Sequence, residues 1–305
     1  MFAVEGGGTR SRAVVFDTSN GLIASMRGGA LNPSVVGLKG SLETLEMFTG
    51  WVLNTVSRVD TACLASAGVQ SLPASDKNAL KRVLERASKK ALVISDIDAL
   101  LKLVRDGIVV VLGTGSVAAA NRCGKMIRSG GWGYVVNDEC GAYHLARKGL
   151  TTAFKALDGR GPHTILVQEL EKALGLSLTS AVKKLHEEYW QPTRLASLAP
   201  VVTRCAEMGD AVATKVVEDC LLKVVEMVLT VSRKTGYRKV YVCGGLLNSR
   251  VVQNLLSSLL KRKGLEFKAM RHSPLAGALY TALREEGVGE LEARRAVERL
   301  NISSL

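Results

Sequence analysis

Short apolar runs that stop at glycines mark three places in the chain. In the first, the runs 2–4 and 13–16 lie on either side of three consecutive glycines. This pattern predicts two strands joined by a tight turn, although a plain Gly-rich hairpin has the same appearance. Because glycine has no Cβ, the turn lets the backbone approach a ligand closely. Backbone amides, a hydroxyl and a cation that suit a phosphate follow one another here, at Gly7, Gly8, Thr9 and Arg10.

The same design occurs twice more along the chain. A buried strand is predicted at 108–112, and it runs into the turn Gly113, Thr114, Gly115 and Ser116. A later strand at 240–243 runs into Gly244 and Gly245, and a helix is predicted from Asn248 to about residue 261. Three strand-to-glycine junctions of one design indicate a nucleotide held between two halves of one fold.

Apolar spacing predicts the remaining elements of the first half. After a third strand at 21–26, a loop containing Asn32 leads to a helix at 42–56, a strand at 61–65, a basic amphipathic helix at 76–87, a strand at 91–94 and a short helix at 99–104. An antiparallel meander followed by strands with crossover helices is the order of a ribonuclease-H-like lobe.

The second half opens with the same meander. Strands are predicted at 108–112, 117–121 and 125–128, helices at 138–157, through most of 165–235, and at 249–261, 274–284 and 291–300. We therefore expect an α/β protein of two ribonuclease-H-like lobes. The predicted lobes are 1–107 and 108–305, and the last helix could pack back on the first lobe.

Composition narrows the class of protein. The 305 residues include 41 Lys and Arg against 28 Asp and Glu, a net charge of +13. These cations are spread along amphipathic helices without aromatic stacking motifs, so we expect a solvated surface and no nucleic-acid partner. No apolar stretch approaches the roughly 20 residues that a bilayer span needs, so no membrane association is expected. Six scattered cysteines without a C-x-x-C pair predict reduced, buried thiols in a cytoplasmic protein.

Several ordered segments resemble a known family. They are 4–11 around the first glycine turn, 113–116, the Gly-Gly-Trp-Gly segment 130–133, 138–143 and 271–273. Together they are similar to the N-acetylglucosamine kinases and archaeal hexokinases of the BadF/BadG-type ATPase family, in the actin/hexokinase/Hsp70 superfamily. The resemblance implies the actin/hexokinase-type ATPase fold, with the active site in the cleft between the two lobes. It also implies ATP-dependent phosphorylation of a hexose or N-acetylhexosamine, with Mg²⁺ as cofactor.

The resemblance also assigns roles to residues. It places the sugar at Asn32, Gly68, Asp96, Gly130, Gly131 and Asp138, and ATP at the first two glycine turns and at Gly244, Gly245 and Asn248. Glu5 would hold Mg²⁺ through water. Ordinary structural roles compete with three of these assignments: Asn32 precedes a proline and suits a turn, Asp138 could cap a helix, and Glu5 could be a solvated strand-end acid. Trp132 could pack at the interface of the lobes or in a core.

A sugar kinase needs a base for the attacking hydroxyl, and Asp96 is the predicted one. It follows the strand 91–94 at a carboxyl end, where α/β sheets place their ligands. Asp98, two residues on, is the rival, and it could instead cap the following helix.

Two further functions share this fold. An ATPase activator of a radical dehydratase or reductase would need cysteines for an iron–sulfur cluster, and Cys123 and Cys140 are the nearest suggestive pair. A non-catalytic sugar- or nucleotide-binding regulator would not need the acids Glu5, Asp96 and Asp138. The sequence leaves open the preferred sugar, the range of nucleotides accepted and the oligomeric state.

Overall fold

A computed structural model of the chain describes residues 1–300. The chain divides into two compact units, one formed by Met1–Arg105 with the chain from Arg271 onward, and the other by Asp106–Met270. Each unit contains a five-stranded mixed sheet. Across residues 1–300, no helix combines the length and the apolar character needed to cross a bilayer.

The elements follow the chain in this order. The strands are β1 (Phe2–Gly6), β2 (Ser11–Asp17), β3 (Gly21–Gly28), β4 (Val59–Ser66), β5 (Ser88–Ser95), β6 (Ile108–Leu112), β7 (Ser116–Arg122), β8 (Lys125–Gly130), β9 (Lys239–Cys243) and β10 (Glu266–Ala269). The helices are α1 (Pro33–Val56), α2 (Ala74–Glu85), α3 (Asp96–Leu103), α4 (Ala142–Leu157), α5 (Leu166–Leu174), α6 (Leu178–Glu188), α7 (Pro192–Ala196), α8 (Ala199–Glu207), α9 (Ala211–Thr235), α10 (Arg250–Lys261), α11 (Pro274–Glu285) and α12 (Glu290–Arg299).

The two sheets have the same topology. In the first, the order is β3-β2-β1-β4-β5, with an antiparallel meander β1-β2-β3 and parallel strands β1, β4 and β5. In the second, the order is β10-β9-β6-β7-β8, with the meander β6-β7-β8 and parallel strands β6, β9 and β10. The predicted internal repeat of a ribonuclease-H-like half is therefore confirmed.

Both faces of the first sheet are covered by helices. One face packs against α1 and α2 in a cluster that includes Phe2, Leu45 and Leu64. The other face packs against α11 and α12 in a second cluster that includes Val14 and Leu279. Double coverage explains why the interior strand β4 is buried along nearly its whole length rather than at alternate positions.

The unit boundaries differ from the predicted lobes in one respect. The sequence assigned 108–305 to the second lobe, with only the last helix returning, whereas the chain rejoins the first unit at Arg271. The reason is that α11 is apolar over most of its surface and packs on β1, β4 and α3. Residues 301–305 of the predicted lobe lie outside the described residues.

The two largest differences between predicted and observed helices are at the starts of α1 and α4. Helix α1 begins at Pro33 rather than at 42, because Asn32 caps it, and the turn at Gly37 (φ 69°) separates its first turn from the predicted part. The helix predicted from 138 begins at Ala142, since Cys140 has a φ of 67°, which an α-helix does not accommodate. The periodic pattern was visible in both cases, but the caps were not.

We expect Gly277→Ala to destabilise the first unit. Gly277 lies where α11 crosses α3, and a Cβ there would overlap the carbonyl oxygen of Ala99. Relieving that overlap requires the helices to separate, so we expect a loss of about 1–3 kcal/mol in the free energy of unfolding. Gly50→Ala in α1 is the matched control, because a Cβ there meets nothing within 4 Å. The control should be neutral or stabilising by up to about 1 kcal/mol. Urea unfolding of both variants tests this, and equal stabilities would contradict it.

Candidate functional site

The carboxyl ends of three parallel strands meet in one row of the first sheet. Gly6 of β1 is in register with Ser66 of β4, and Ser66 is in register with Ser95 of β5. The chain leaving each strand therefore starts at the same edge. The first glycine turn, Gly68 and Asp96 are all delivered there, which is the edge where parallel sheets place ligands.

Backbone hydrogen bonds tie the first glycine turn to its neighbours. The turn is closed by Gly7 N–H donating to the carbonyl of Arg10 (3.1 Å), which leaves Thr9 and Arg10 exposed. The Gly7 carbonyl accepts from Leu31 N–H (3.0 Å), and the Gly6 carbonyl accepts from Ala67 N–H (3.1 Å). The candidate phosphate loop is thus held by the segments that carry the candidate sugar residues.

Asn32 and Gly68, predicted from separate segments, are in contact. The Asn32 Oδ1 accepts from Ser34 N–H (2.9 Å) and caps α1. Gly68 has a φ of 78°, and a Cβ there would overlap the same Oδ1. The turn-forming role that the sequence offered as an alternative for Asn32 is therefore real, and it fixes the orientation of the amide beside Gly68.

Asp96 and Asp98 occupy different environments at the start of α3. Ser95 is the N-cap of α3, because its Oγ accepts from Asp98 N–H (3.1 Å), and the same Oγ donates to Asp98 Oδ2 (2.6 Å). Asp96 Oδ1 accepts from Ile97 N–H (2.9 Å). Loss of hydration raises the pKa of Asp96 to about 6, and the negative charges of Asp98 and Glu5 add to the effect. The Asp98 carboxylate is engaged by the hydroxyl of the N-cap Ser95, whereas Asp96 has a raised pKa, so Asp96 stays the candidate base.

Glu5 is held by two donors. Its Oε1 accepts from Arg12 Nε (2.6 Å), and its Oε2 accepts from Leu275 N–H (3.0 Å) in the first turn of α11. The carboxylate is mostly buried, with 15% of its side chain exposed, so the solvated strand-end interpretation is wrong. Each oxygen keeps a further lone pair, so the carboxylate can still accept a hydrogen bond from a water bound to a cation.

The second glycine turn is fastened to the start of α4. The carbonyls of Gly113 and Thr114 accept from Ala142 N–H (2.8 Å) and Tyr143 N–H (3.1 Å). The Ser116 Oγ donates to the Glu139 carbonyl. The first amides of α4 are therefore satisfied by the turn itself, which fixes the geometry of the turn.

Asp138 is not the cap of α4, because Gly141 occupies that position. Its Oδ1 accepts from Gly133 N–H (3.1 Å), and its carboxylate lies where a Cβ on Gly115 would be. Desolvation raises the pKa of Asp138 above its usual range. The side chain thus connects the segment 130–133 with the second glycine turn.

Backbone conformation and close packing both require glycine at Gly130 and Gly131. Both have positive φ, 76° and 74°, and a Cβ would meet Met227 and Val117, respectively. Trp132 is 63% exposed, with the Arg128 guanidinium 4.0 Å from its ring centroid, so the prediction of a core aromatic is wrong. The close backbone approach at these glycines is made by residues of the same unit.

The third glycine junction lies beside the second in its sheet. Val111 of β6 pairs with Cys243 of β9, and a Cβ on Gly244 would overlap the Leu112 carbonyl. Gly245 and Asn248 border a cavity of about 250 Å³, which is also lined by Pro200, Thr203, Arg204, Glu207, Leu246 and Ser249.

Sequence reasoning missed several of the residues that organise these segments. The Ser66 Oγ donates to the Leu31 carbonyl (2.7 Å), and Glu207 Oε1 accepts from Ser249 Oγ (2.7 Å) and Arg250 N–H (2.9 Å). Glu207 thereby caps α10 from a distant helix. No local pattern signals such a cap, because its partner is 43 residues away.

The cysteines do not form a cluster site in the described chain. Within residues 1–300, no group of three or more His, Cys, Asp and Glu is placed to hold a metal ion. Cys140 is buried and lies against Cys220, whereas Cys123 is exposed in the turn between β7 and β8. The expectation of buried thiols therefore fails for Cys123, and the pair suggested for an iron–sulfur cluster does not come together with further ligands.

Two kinases are similar to this chain in sequence. An N-acetylmuramic acid/N-acetylglucosamine kinase of Clostridium acetobutylicum is 28% identical over 61% of this chain, and the match spans 64% of that relative's own length. An N-acetyl-D-glucosamine kinase of Dictyostelium discoideum is 26% identical, over 94% of this chain and 98% of the relative.

Solved structures share the fold. A protein named as a candidate N-acetylglucosamine kinase of Chromobacterium violaceum has a TM-score of 0.73 at 22% identity, over 91% of this chain and 96% of that one. A ROK family glucokinase of Streptomyces griseus, solved with glucose and AMPPNP, has a TM-score of 0.60 at 15% identity, over 93% and 99%. The family model described as the BadF/BadG/BcrA/BcrD ATPase family matches residues 4–283. With its two ribonuclease-H-like sheets and its glycine turns, the chain belongs to the BadF/BadG/BcrA/BcrD ATPase family.

Proposed function

We propose that the protein transfers the γ-phosphoryl group of ATP to a hydroxyl of a hexose or N-acetylhexosamine, at O6. The observation that carries the proposal is the row Gly6, Ser66 and Ser95, which delivers a glycine turn and the desolvated Asp96 to one sheet edge. The names of the two relatives favour an N-acetylated amino sugar as the substrate. A cytoplasmic location, where ATP is available, goes with this activity.

The candidate residues of the two units have distinct tasks in the proposed reaction. Asp96 accepts the proton of the sugar hydroxyl as its oxygen attacks the γ-phosphorus. Asn32, the backbone at Gly68, Gly130 and Gly131, and Asp138 orient the sugar. The amides of Gly7, Gly8, Thr9 and 113–116, together with the Arg10 cation, bind phosphate oxygens, and Gly244, Gly245 and Asn248 border the adenosine.

Glu5 would hold Mg²⁺ through water, with the remaining ligands coming from the nucleotide phosphates. When bound, Mg²⁺ supplies neutralisation of phosphate charge. The direct test of the whole proposal is an ADP-release assay with ATP and glucose, N-acetylglucosamine, glucosamine or mannose. Absence of sugar-dependent ADP release with all four would contradict the proposal.

We expect Asp96→Asn to lower the turnover number by about 10²- to 10⁴-fold, since that is the usual effect of removing a general base. ATP and sugar should still bind, because Asn keeps the size and part of the hydrogen bonding. Asp98→Asn is the matched control, because an amide oxygen can still accept from the Ser95 hydroxyl. Steady-state kinetics with binding measured by calorimetry separates the two. A large loss of turnover in Asp98→Asn but not in Asp96→Asn would identify Asp98 as the base instead.

The pKa of Asp96 predicts that activity falls on the acid side of the pH profile of kcat/KM. A base with a pKa of about 6 becomes protonated below that pH, so kcat/KM for the sugar should fall about tenfold per pH unit there. The folded-state pKa of about 6 lies above the ordinary value of 3.8. Ionisation of the Asp96 carboxyl therefore lowers the stability of the fold as the pH rises from 3.8 through about 6. Asp96→Asn should therefore gain thermal stability relative to wild type at pH 7.5 but not at pH 4. A wild-type profile that is flat from pH 5 to 7 would remove Asp96 from the role of base.

Thr114→Val tests the second glycine turn. If the hydroxyl donates to a phosphate oxygen, its loss should cost about 1.5–3 kcal/mol in kcat/KM for ATP while the fold is kept. Thr152→Val in α4 is the control, since its hydroxyl donates to the Lys148 carbonyl within the helix. Unchanged kinetics for ATP in Thr114→Val would take the residue out of the nucleotide site.

A further inference from the structure

Arg12 is the cross-strand partner of Glu5. The two residues face each other in the antiparallel pair β1 and β2, and Arg12 Nε donates to Glu5 Oε1 at 2.6 Å. Both side chains are largely shielded, with 24% of Arg12 and 15% of Glu5 exposed. The contact is therefore a partly buried, charge-assisted hydrogen bond rather than a loose surface ion pair.

A second positive group faces the other oxygen of Glu5. Leu275 N–H lies at the N-terminus of α11, a helix of 12 residues, and donates to Glu5 Oε2. The partial positive charge of a helix N-terminus adds to the guanidinium charge. Glu5 thus presents little net negative charge to a cation, and one lone pair of each oxygen is already used.

We infer that Arg12 is a positioning residue that keeps Glu5 from direct coordination of a divalent cation. With the guanidinium in place, Glu5 can contact a metal ion through a water molecule, and the ion depends on the nucleotide phosphates for its direct ligands. Without it, Oε1 is released and the local charge becomes one unit more negative. This inference rests on the proposed ATP-dependent function, because it assigns the role of Arg12 in that site.

The competing explanation is that Arg12 only stabilises the sheet. In that case Arg12→Gln lowers the melting temperature. Its effect on the affinity for a divalent cation is then no larger than the effect of removing one positive charge elsewhere on the protein. A readout of metal affinity without nucleotide separates the two explanations, because a purely stabilising ion pair does not influence it beyond the general charge effect.

The experiment is a Mn²⁺ titration of the nucleotide-free, 305-residue protein, monitored by the electron paramagnetic resonance signal of free Mn²⁺. We expect Arg12→Gln to bind Mn²⁺ at least about tenfold more tightly than wild type, since a unit charge a few ångströms away in a partly buried setting has that effect. Arg12→Met, which keeps the apolar stem, should behave in the same way and serves if Arg12→Gln does not fold.

Two controls define the outcome. Arg27→Gln removes an equal charge from the residue that faces Arg12 across β2 and β3, and its affinity should stay within about twofold of wild type. The double variant Glu5→Gln with Arg12→Gln should lose the increase in Mn²⁺ affinity. Affinity for Mn²⁺ that is equal in Arg12→Gln and Arg27→Gln, or a gain that persists in the double variant, would overturn the inference. Failure of the protein to phosphorylate any sugar would instead contradict the proposed function and would leave this titration readable.

Discussion

The row of parallel strand ends is the constraint on which the first unit depends. Gly6, Ser66 and Ser95 lie side by side, and a Cβ on Gly6 would stand 2.7 Å from the Ser66 Oγ and 2.8 Å from the Leu31 carbonyl. Only glycine therefore lets the end of β1 approach its neighbours this closely. Because the row is tight, the segments that leave it are held in fixed positions, and their chemistry is presented at one edge.

Close approach of backbone segments also requires glycine in the second unit. Gly244 approaches the Leu112 carbonyl, and Gly141 approaches the backbone of Thr114 and Gly115. Several glycines of the family-like segments thus have a structural reason within their own unit. A glycine that lets two backbone segments pack closely has no side chain to cover its own amide. The packing role and the proposed ligand role are therefore compatible.

Three carboxylates of the first unit show how surroundings assign different properties to one functional group. Glu5 is neutralised by Arg12 and a helix N-terminus, and Asp98 is engaged by the Ser95 hydroxyl. Desolvation raises the pKa of Asp96, and the backbone N–H groups at the start of α3 offset only part of that rise. A carboxyl that is desolvated but still able to ionise near neutral pH is what a proton acceptor requires.

The sequence by itself determined the repeat of two meander-and-crossover sheets and the three glycine junctions, because apolar periodicity and glycine positions are local properties of the chain. It also placed Asp96 at a strand end. Tertiary structure alone decided that the Asp98 carboxylate accepts from the Ser95 hydroxyl, that the chain rejoins the first unit at Arg271 rather than at its last helix, and that Glu5 is paired with Arg12. It also decided the cap that Glu207 provides for α10. These features depend on which side chains meet across strands and helices that are far apart in the chain, and hydrophobic periodicity carries no information about such pairs.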